Sequence, residues 1–210
     1  MNSLKYIMFF TLASGWLSCA ESGVQLVSYP SMKDVNLSNG LRVLLAEHHE
    51  QKTISYRMLV MASKVDEPAG KEGIAGVTAQ VLQEGTKTRT SDQIENEVAG
   101  LGSSIAVSLE PSYVIFAMDL MSEYSQQGMD LFADVILNPS FPKDGIRRVK
   151  RDMLNAVLIE RTDNKTVAAN YGRCLLFGCD NPLGRTATEK SIKSISGGDI
   201  RNFYQRYYCA

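Results

Sequence analysis

The fold of this chain is decided by the stretch Gly73-Ile-Ala-Gly-Val-Thr-Ala-Gln-Val-Leu-Gln-Glu-Gly-Thr86. On a helix of 3.6 residues per turn its bulky apolar side chains gather on one side. That side consists of Ile74, Val77, Thr78, Val81 and Leu82. The opposite side consists of Gly76, Ala79, Gln80 and Gln83. The pattern predicts a helix with one buried face and a second face of different character.

Alternating and helical patterns surround this stretch in a definite order. A hairpin is predicted over residues 33–46 and a strand over 53–61, followed by the central helix over 73–84. A second helix begins at Thr90, where Gln93 completes a capping box, and ends near Gly102. Two strands over 104–109 and 112–121 precede a helical remainder that starts near 123. This order predicts an α+β fold, a mostly antiparallel sheet with helices packed on one face.

Composition excludes several classes of protein. The 210 residues are 44% hydrophobic and 21% charged, with a net charge of −1. Such a chain can bury a core, and its charge gives no reason to expect a nucleic-acid partner. No internal apolar run is long enough to predict a stable membrane span.

The first twenty residues resemble a targeting segment. A weakly positive start, an apolar run led by residues 7–10 and the small residues Ser18 and Ala20 before Glu21 predict a secretory signal peptide over 1–20. Residues 21–34 then form an N-terminal extension, and the domain covers 35–210. An exported, periplasmic protein is expected. The alternatives are a folded N-terminal helix and a lipoprotein anchored at Cys19.

Three cysteines remain once Cys19 is removed with the signal, an odd number for an oxidising compartment. Cys174 and Cys179 are five residues apart at a predicted helix end. A disulfide between them can close only if the helix stops at Gly178. No Cys-x-x-Cys pair is present, which argues against a cysteine zinc site.

A carboxylate interrupts the apolar stripe of the long helix that opens at Pro142. The inward positions predicted there are Ile146, Val149, Met153, Ala156 and Val157, and the next step of the stripe is Glu160. A buried carboxylate is costly unless it is paired or bound to a cation. Glu160 is therefore interpreted either as a relic metal ligand or as the partner of an arginine such as Arg161 or Arg173.

Several segments together resemble the N-terminal domain of the M16 (pitrilysin-like, inverted-zincin) metallopeptidases. They are Leu37-Ser-Asn-Gly-Leu-Arg-Val43, Gly73-Ile-Ala75, Glu84-Gly-Thr86, Ala99-Gly-Leu-Gly102, Leu131-Phe-Ala-Asp-Val-Ile-Leu-Asn-Pro-Ser-Phe-Pro142 and Phe203-Tyr-Gln-Arg-Tyr-Tyr208. The resemblance implies an α+β domain and, for the family, a zinc cofactor.

The catalytic motif of that family, His-x-x-Glu-His, falls in this chain on Gly76, Ala79 and Gln80. Two imidazoles hold zinc in the family motif and the glutamate activates water. Glu160 resembles the more distant carboxylate ligand. The resemblance therefore implies a non-catalytic member with no zinc of its own. Such members pair with an active M16 subunit in a hetero-oligomer and help to hold an extended peptide.

Two alternatives stay open at this point. The chain could be an active zinc peptidase with other ligands, for instance His48, His49 and Glu160. It could instead be a truncated half of a longer subunit, because it ends where the first half of family subunits ends and the second homologous half is absent.

Overall fold

The structure, a computed structural model, describes residues 31–208, so the predicted signal peptide and most of the extension lie outside it. Five strands are present within the described part: β1 Met32–Asn36, β2 Arg42–Ala46, β3 Thr53–Val60, β4 Ile105–Leu109 and β5 Val114–Met121. The helices there are α1 Ile74–Val81, α2 Ser91–Gly100, α3 Ser125–Leu137, α4 Lys143–Glu160, α5 Asn164–Phe177, α6 Glu189–Ser194 and α7 Gly197–Tyr207.

The strands form two antiparallel sheets. β1 and β2 make the predicted hairpin, and β3, β5 and β4 make a three-stranded sheet in that order. Alternate residues of β5 are buried against the helices, namely Val114, Phe116, Met118 and Leu120. Residues of the other face, such as Asp119 and Met121, are exposed. These observations confirm the α+β class and the single covered face of the sheet.

The helix α1 lies at the centre of the domain. It contacts β4, α4 and α7, and a short 3-10 turn over Leu82–Glu84 extends it to Gly85. All five residues of the face predicted to be buried are buried. Gly73 precedes the helix with φ 99°, a left-handed conformation that glycine adopts without steric cost.

Two segments that are distant in sequence, the end of α3 and the helix α7, are in contact. The hydroxyl of Tyr204 in α7 donates to the carbonyl of Ile136 in α3 at 2.8 Å. The Tyr204 ring also packs edge-on against Phe141, with centroids 5.2 Å apart. Edge-to-face aromatic pairs contribute beyond the area they bury, so this contact fixes α7 against the end of α3.

Helix ends follow the local sequence. The Thr90 hydroxyl oxygen accepts from the Gln93 backbone N–H, and the Gln93 side-chain oxygen accepts from the Thr90 backbone N–H. These two hydrogen bonds form the predicted capping box of α2. Each such N-cap contributes about 1 kcal/mol to stability. The boundaries of the predicted helices are confirmed to within a few residues.

Two glycines at the contact between α1 and α4 predict opposite responses to alanine. A Cβ at Gly145 would lie 2.6 Å from the Cβ of Glu84, whereas at Gly76 the nearest atom, 3.1 Å away, is the mobile Cε of Met153. We expect Gly145→Ala to lower the free energy of unfolding by about 1–3 kcal/mol through overpacking. Gly76→Ala should change it by less than about 1 kcal/mol, because gained helix propensity offsets the displaced methyl. Urea unfolding followed by circular dichroism measures both, and a Gly145→Ala protein as stable as the parent would contradict this packing.

Candidate functional site

The middle of α1 is covered by apolar atoms. A side chain added at Gly76 would meet Met153 Cε at 3.1 Å and Leu109 Cδ2 at 3.6 Å. Met153 comes from α4 and Leu109 from the end of β4. A thioether and an isobutyl group therefore occupy the space that a longer side chain at position 76 would enter.

Burial of Gly76 and Ala79 corrects the two-faced helix expected from sequence. Both residues are buried, and in α1 only Gln80 is exposed. The helical wheel gave a distinct second face, but α4 and β4 pack on that side as well. The candidate slots at 76, 79 and 80 thus present a backbone, a methyl group and one neutral carboxamide.

The side chain of Glu160 lies at the last position of α4 and is exposed, which corrects the expected buried stripe. Ala156, also predicted to face inward, is exposed too. After Val149 the only buried residue of α4 is Val157. The predicted apolar stripe does not stay buried to the end of α4, because the last turns of the helix extend past the core that covers its first turns.

The arginines considered as partners of Glu160 are engaged elsewhere. Arg161 lies 3.4 Å from Glu189, and Arg173 donates to the side chain of Asn170. The side chain of Glu160 forms no hydrogen bond or ion pair with any residue from 31 to 208, and its backbone carbonyl accepts the N–H of Asp163 at 3.3 Å. Burial lowers the pKa of Lys64, and the charge of Glu160 partly opposes this shift at longer range. Glu160 is thus a solvated carboxylate.

A buried carboxylate that sequence patterns did not reveal supports the start of α1. Glu67 is 5% exposed, and its carboxylate accepts the backbone N–H of Ala75 at 3.0 Å. Burial raises the pKa of Glu67, while the N–H groups of Gly73 and Ala75 oppose that rise. An anion at a helix N-terminus satisfies backbone donors that have no partner within the helix. Glu67 precedes α1 by a loop without a capping motif, so no local pattern predicts its role.

A basic side chain holds this loop from the other side. Arg185 donates from Nη2 to the backbone carbonyl of Glu67 at 2.8 Å, and its Nη1 lies 3.5 Å from Glu72. Both side chains of this ion pair are mostly buried, at 15% and 14% exposure. The loop before α1 is therefore anchored to the segment that follows α5.

Both histidines lie in the loop after β2. The Nε2 atom of His48 is 3.8 Å from Glu50, and that of His49 is 3.6 Å from Glu47. Their side chains are 60% and 87% exposed. Between residues 31 and 208, no three His, Cys, Asp or Glu side chains are grouped so that they could hold a metal ion.

A disulfide joins Cys174 and Cys179, whose Cα atoms are 4.4 Å apart. The helix α5 ends at Phe177, and Gly178 follows with φ 88°. Both cysteines line a surface cavity of about 770 Å³ together with Tyr171, Arg161 and Arg185. The bridge fixes the end of α5 at the rim of this cavity.

The donors around α1 do not fit zinc. A catalytic zinc site takes three protein ligands and keeps one position open for water. The slots Gly76 and Ala79 have no donor side chain, Gln80 has a neutral amide, and Glu160 is the one carboxylate among the candidates. The sequence contains only two histidines, which are adjacent, so it has no His-x-x-Glu-His.

Comparison with known families matches this architecture. The sequence profile of insulinase (peptidase family M16) covers residues 42–169, well over half of the 210 residues. The chain belongs to peptidase family M16. The resemblance carried by the separate segments is thereby confirmed, and the fold is that of the M16 N-terminal domain.

Relatives of this M16 chain include proteins named as peptidase subunits and one named as a non-peptidase homolog. The probable mitochondrial-processing peptidase subunit beta of Arabidopsis thaliana is 24% identical over 187 residues, 88% of this chain and 35% of that protein. The non-peptidase homolog YmxG of Helicobacter pylori is 25% identical over 138 residues, 65% of this chain and 32% of that protein. The M16 chain thus spans about a third of the length of these curated relatives.

A solved structure has the same fold. The crystal structure of a peptidase M16 inactive domain from Pseudomonas fluorescens superposes with a TM-score of 0.77 at 22% identity. The match covers 83% of this M16 chain and 43% of that one.

Removal of the Glu67 charge should change the pH dependence of stability. Because burial raises its pKa above 4.5, the folded protein holds this proton more tightly than the unfolded chain does. The stabilisation from the proton is complete below pH 4.5 and is lost as pH rises through the folded-state pKa. As pH rises from 4.5 to neutrality, the free energy of unfolding should therefore fall less for Glu67→Gln than for the parent. Urea unfolding at several pH values measures this difference. Glu123→Gln, at an exposed glutamate, is the control, and identical pH slopes for Glu67→Gln and the parent would refute the effect.

The two interpretations of Glu160 predict different stabilities for Glu160→Gln. An exposed side chain without an ion pair should cost less than about 0.5 kcal/mol when its charge is removed. Glu84→Gln is the matched comparison, because the Glu84 side chain is only 13% exposed and pairs with Arg148. Thermal unfolding of both variants measures this. A loss of stability in Glu160→Gln equal to that in Glu84→Gln would favour the interpretation that Glu160 is paired to an arginine.

Proposed function

We propose that this M16 domain is non-catalytic, binds an extended peptide and serves as the scaffold partner of an active M16 zinc peptidase subunit. The observation that carries the proposal is the apolar filling beside Gly76 by Met153 and Leu109. Where the family motif provides ligands and a base, this domain provides a hydrophobic wall.

Catalysis by this family requires a metal-bound water and a base to deprotonate it. Ala79 stands in the slot of that base, and a methyl group accepts no proton. Gly76 and Gln80 leave the metal without imidazole ligands. These replacements support a domain that retains the family fold without its reaction.

A free sheet edge supports peptide binding. β4 pairs with β5 on one side only, so its other edge has no strand partner among the described residues. An edge strand offers unpaired backbone N–H and C=O groups to which an extended peptide can add as a further strand. α1 lies beside β4, and Met153 and Leu109 would form the apolar floor under such a peptide.

An exposed apolar surface supports a protein partner. No residue of α5 is buried, and its last turn carries Leu175 and Leu176 at 84% and 80% exposure. Tyr171 and Ile159 add further apolar area at 69% and 68% exposure. Tyr171 and Leu175 are four residues apart and share one face of α5, and an exposed apolar patch is a feature of protein interfaces. The relatives include proteins named as subunits, which fits an M16 subunit as the partner.

Export to the periplasm is part of the proposal. The signal peptide predicted over 1–20, and the alternative anchor at Cys19, lie outside the described residues. The Cys174–Cys179 bridge suits an oxidising compartment. Over residues 31–208 no helix has the length and apolarity needed to cross a bilayer.

The alternative of an active peptidase using His48, His49 and Glu160 has less support. Adjacent residues of an extended segment point in opposite directions, and the two imidazoles approach different glutamates. Within the described residues, these three side chains are not grouped so that they could hold a metal ion.

Zinc content and peptide cleavage test the proposal. The purified full chain should contain no stoichiometric zinc by plasma mass spectrometry and should cleave no quenched fluorescent peptide library. The same chain mixed with an M16 subunit that has an intact His-x-x-Glu-His motif should form a complex on size-exclusion chromatography. Stoichiometric zinc together with peptide cleavage by the chain alone would refute the proposal.

A double variant, His48→Ala with His49→Ala, is the control for the alternative ligands. It should leave metal content at the background of the parent chain. Zinc in the parent that disappears in this variant would favour the active peptidase instead.

A further inference from the structure

A groove of about 700 Å³ opens where the end of α1, α2 and the start of β4 meet. Its floor is apolar: Ile94, Val98 and Ile105 line it and are 3%, 7% and 8% exposed. Gln83 lines the groove one helical turn beyond the exposed Gln80, so the groove continues the open side of α1.

The rim of the groove carries an excess of negative charge. Glu84, Asp92 and Glu95 line it, and Arg148 is its single cation. That arginine is already held, because its Nη2 donates to Glu84 and to the Ser91 hydroxyl, the latter at 3.1 Å. The side chains of Asp92 and Glu95 are exposed and form no hydrogen bond or ion pair with the described residues. Two carboxylates are thus left facing solvent above an apolar floor.

The strand β4 connects this groove to the wall beside Gly76. Its last residue, Leu109, lies against Gly76, and its first residue, Ile105, lines the groove. The two residues are four positions apart, so both point to the same face of the sheet. At a rise of about 3.3 Å per residue the two points are separated by about 13 Å along the strand.

From this geometry we propose that the groove binds a lysine or arginine side chain of an extended peptide paired with β4. The basic residue is the one opposite Ile105, four positions from the residue opposite Leu109. Its aliphatic stem covers the apolar floor, and its charge lies between Asp92 and Glu95. This inference rests on the proposed peptide binding and adds the chemical class of the peptide.

Fluorescence anisotropy with the full chain tests the charge preference. The probes are labelled eight-residue peptides of alternating valine and threonine in which one position at a time carries arginine or glutamine. Arginine should bind about fivefold more tightly than glutamine at alternate positions, because only every second side chain faces α1. The preference should shrink as salt is raised, since exposed charges are screened.

Variants of the rim assign the preference to the groove. Asp92→Asn with Glu95→Gln should abolish the preference for arginine and leave the affinity for the glutamine peptides unchanged. Glu123→Gln removes an exposed carboxylate elsewhere and should leave the preference intact.

The possible outcomes separate the two proposals. Equal binding of arginine and glutamine peptides would overturn the groove assignment and leave peptide binding standing. An arginine preference that survives the double variant would overturn it too. Failure of every peptide to bind would overturn the proposed peptide binding and this inference with it.

Discussion

The enclosure of α1 is the constraint on which the rest of the domain depends. The sheet edge, α4 and α7 contact it from different sides, and only Gln80 remains in contact with solvent. A helix in that position favours small or apolar side chains, because an unpaired polar group there is desolvated without compensation, as the buried Thr78 hydroxyl is. Its first turn has the same problem, and Glu67 solves it by accepting the Ala75 N–H from outside the helix.

The apolar packing of α1 relies mainly on residues outside the candidate slots at 76, 79 and 80. Packing of α1 against its neighbours uses Ile74, Val77 and Val81, and none of these side chains is involved in the chemistry of the family motif. Three polar features of the domain lie outside the core: the free edge of β4, the acidic groove and the solvated end of α4. The main packing residues of α1 and the candidate motif slots are thus different residues of one helix.

Much of this fold could be predicted from the sequence because the local signals agree with one another. The two-residue period of 53–60 and 114–121 and the capping box at Thr90 each gave the correct element. A helical wheel, however, divides a helix into two sides and does not show how many other elements pack against it, so it does not predict the burial of Gly76 and Ala79. The wheel also continues a stripe past the end of the core, and for this reason Ala156 and Glu160 were expected inside. Glu67 could not be predicted, because its partner is a backbone group eight residues away across a loop.

The contact between Gly76 and Met153 also limits which side chains position 76 can accept. A histidine at position 76 would enter space that Met153 and Leu109 already fill. Each inward change on α1 therefore depends on an accommodating change on α4 or β4, and the intermediates carry the cost of overpacking. The side chain that position 76 can accept is therefore coupled to the residues of α4 and β4 that pack against it, a structural form of epistasis.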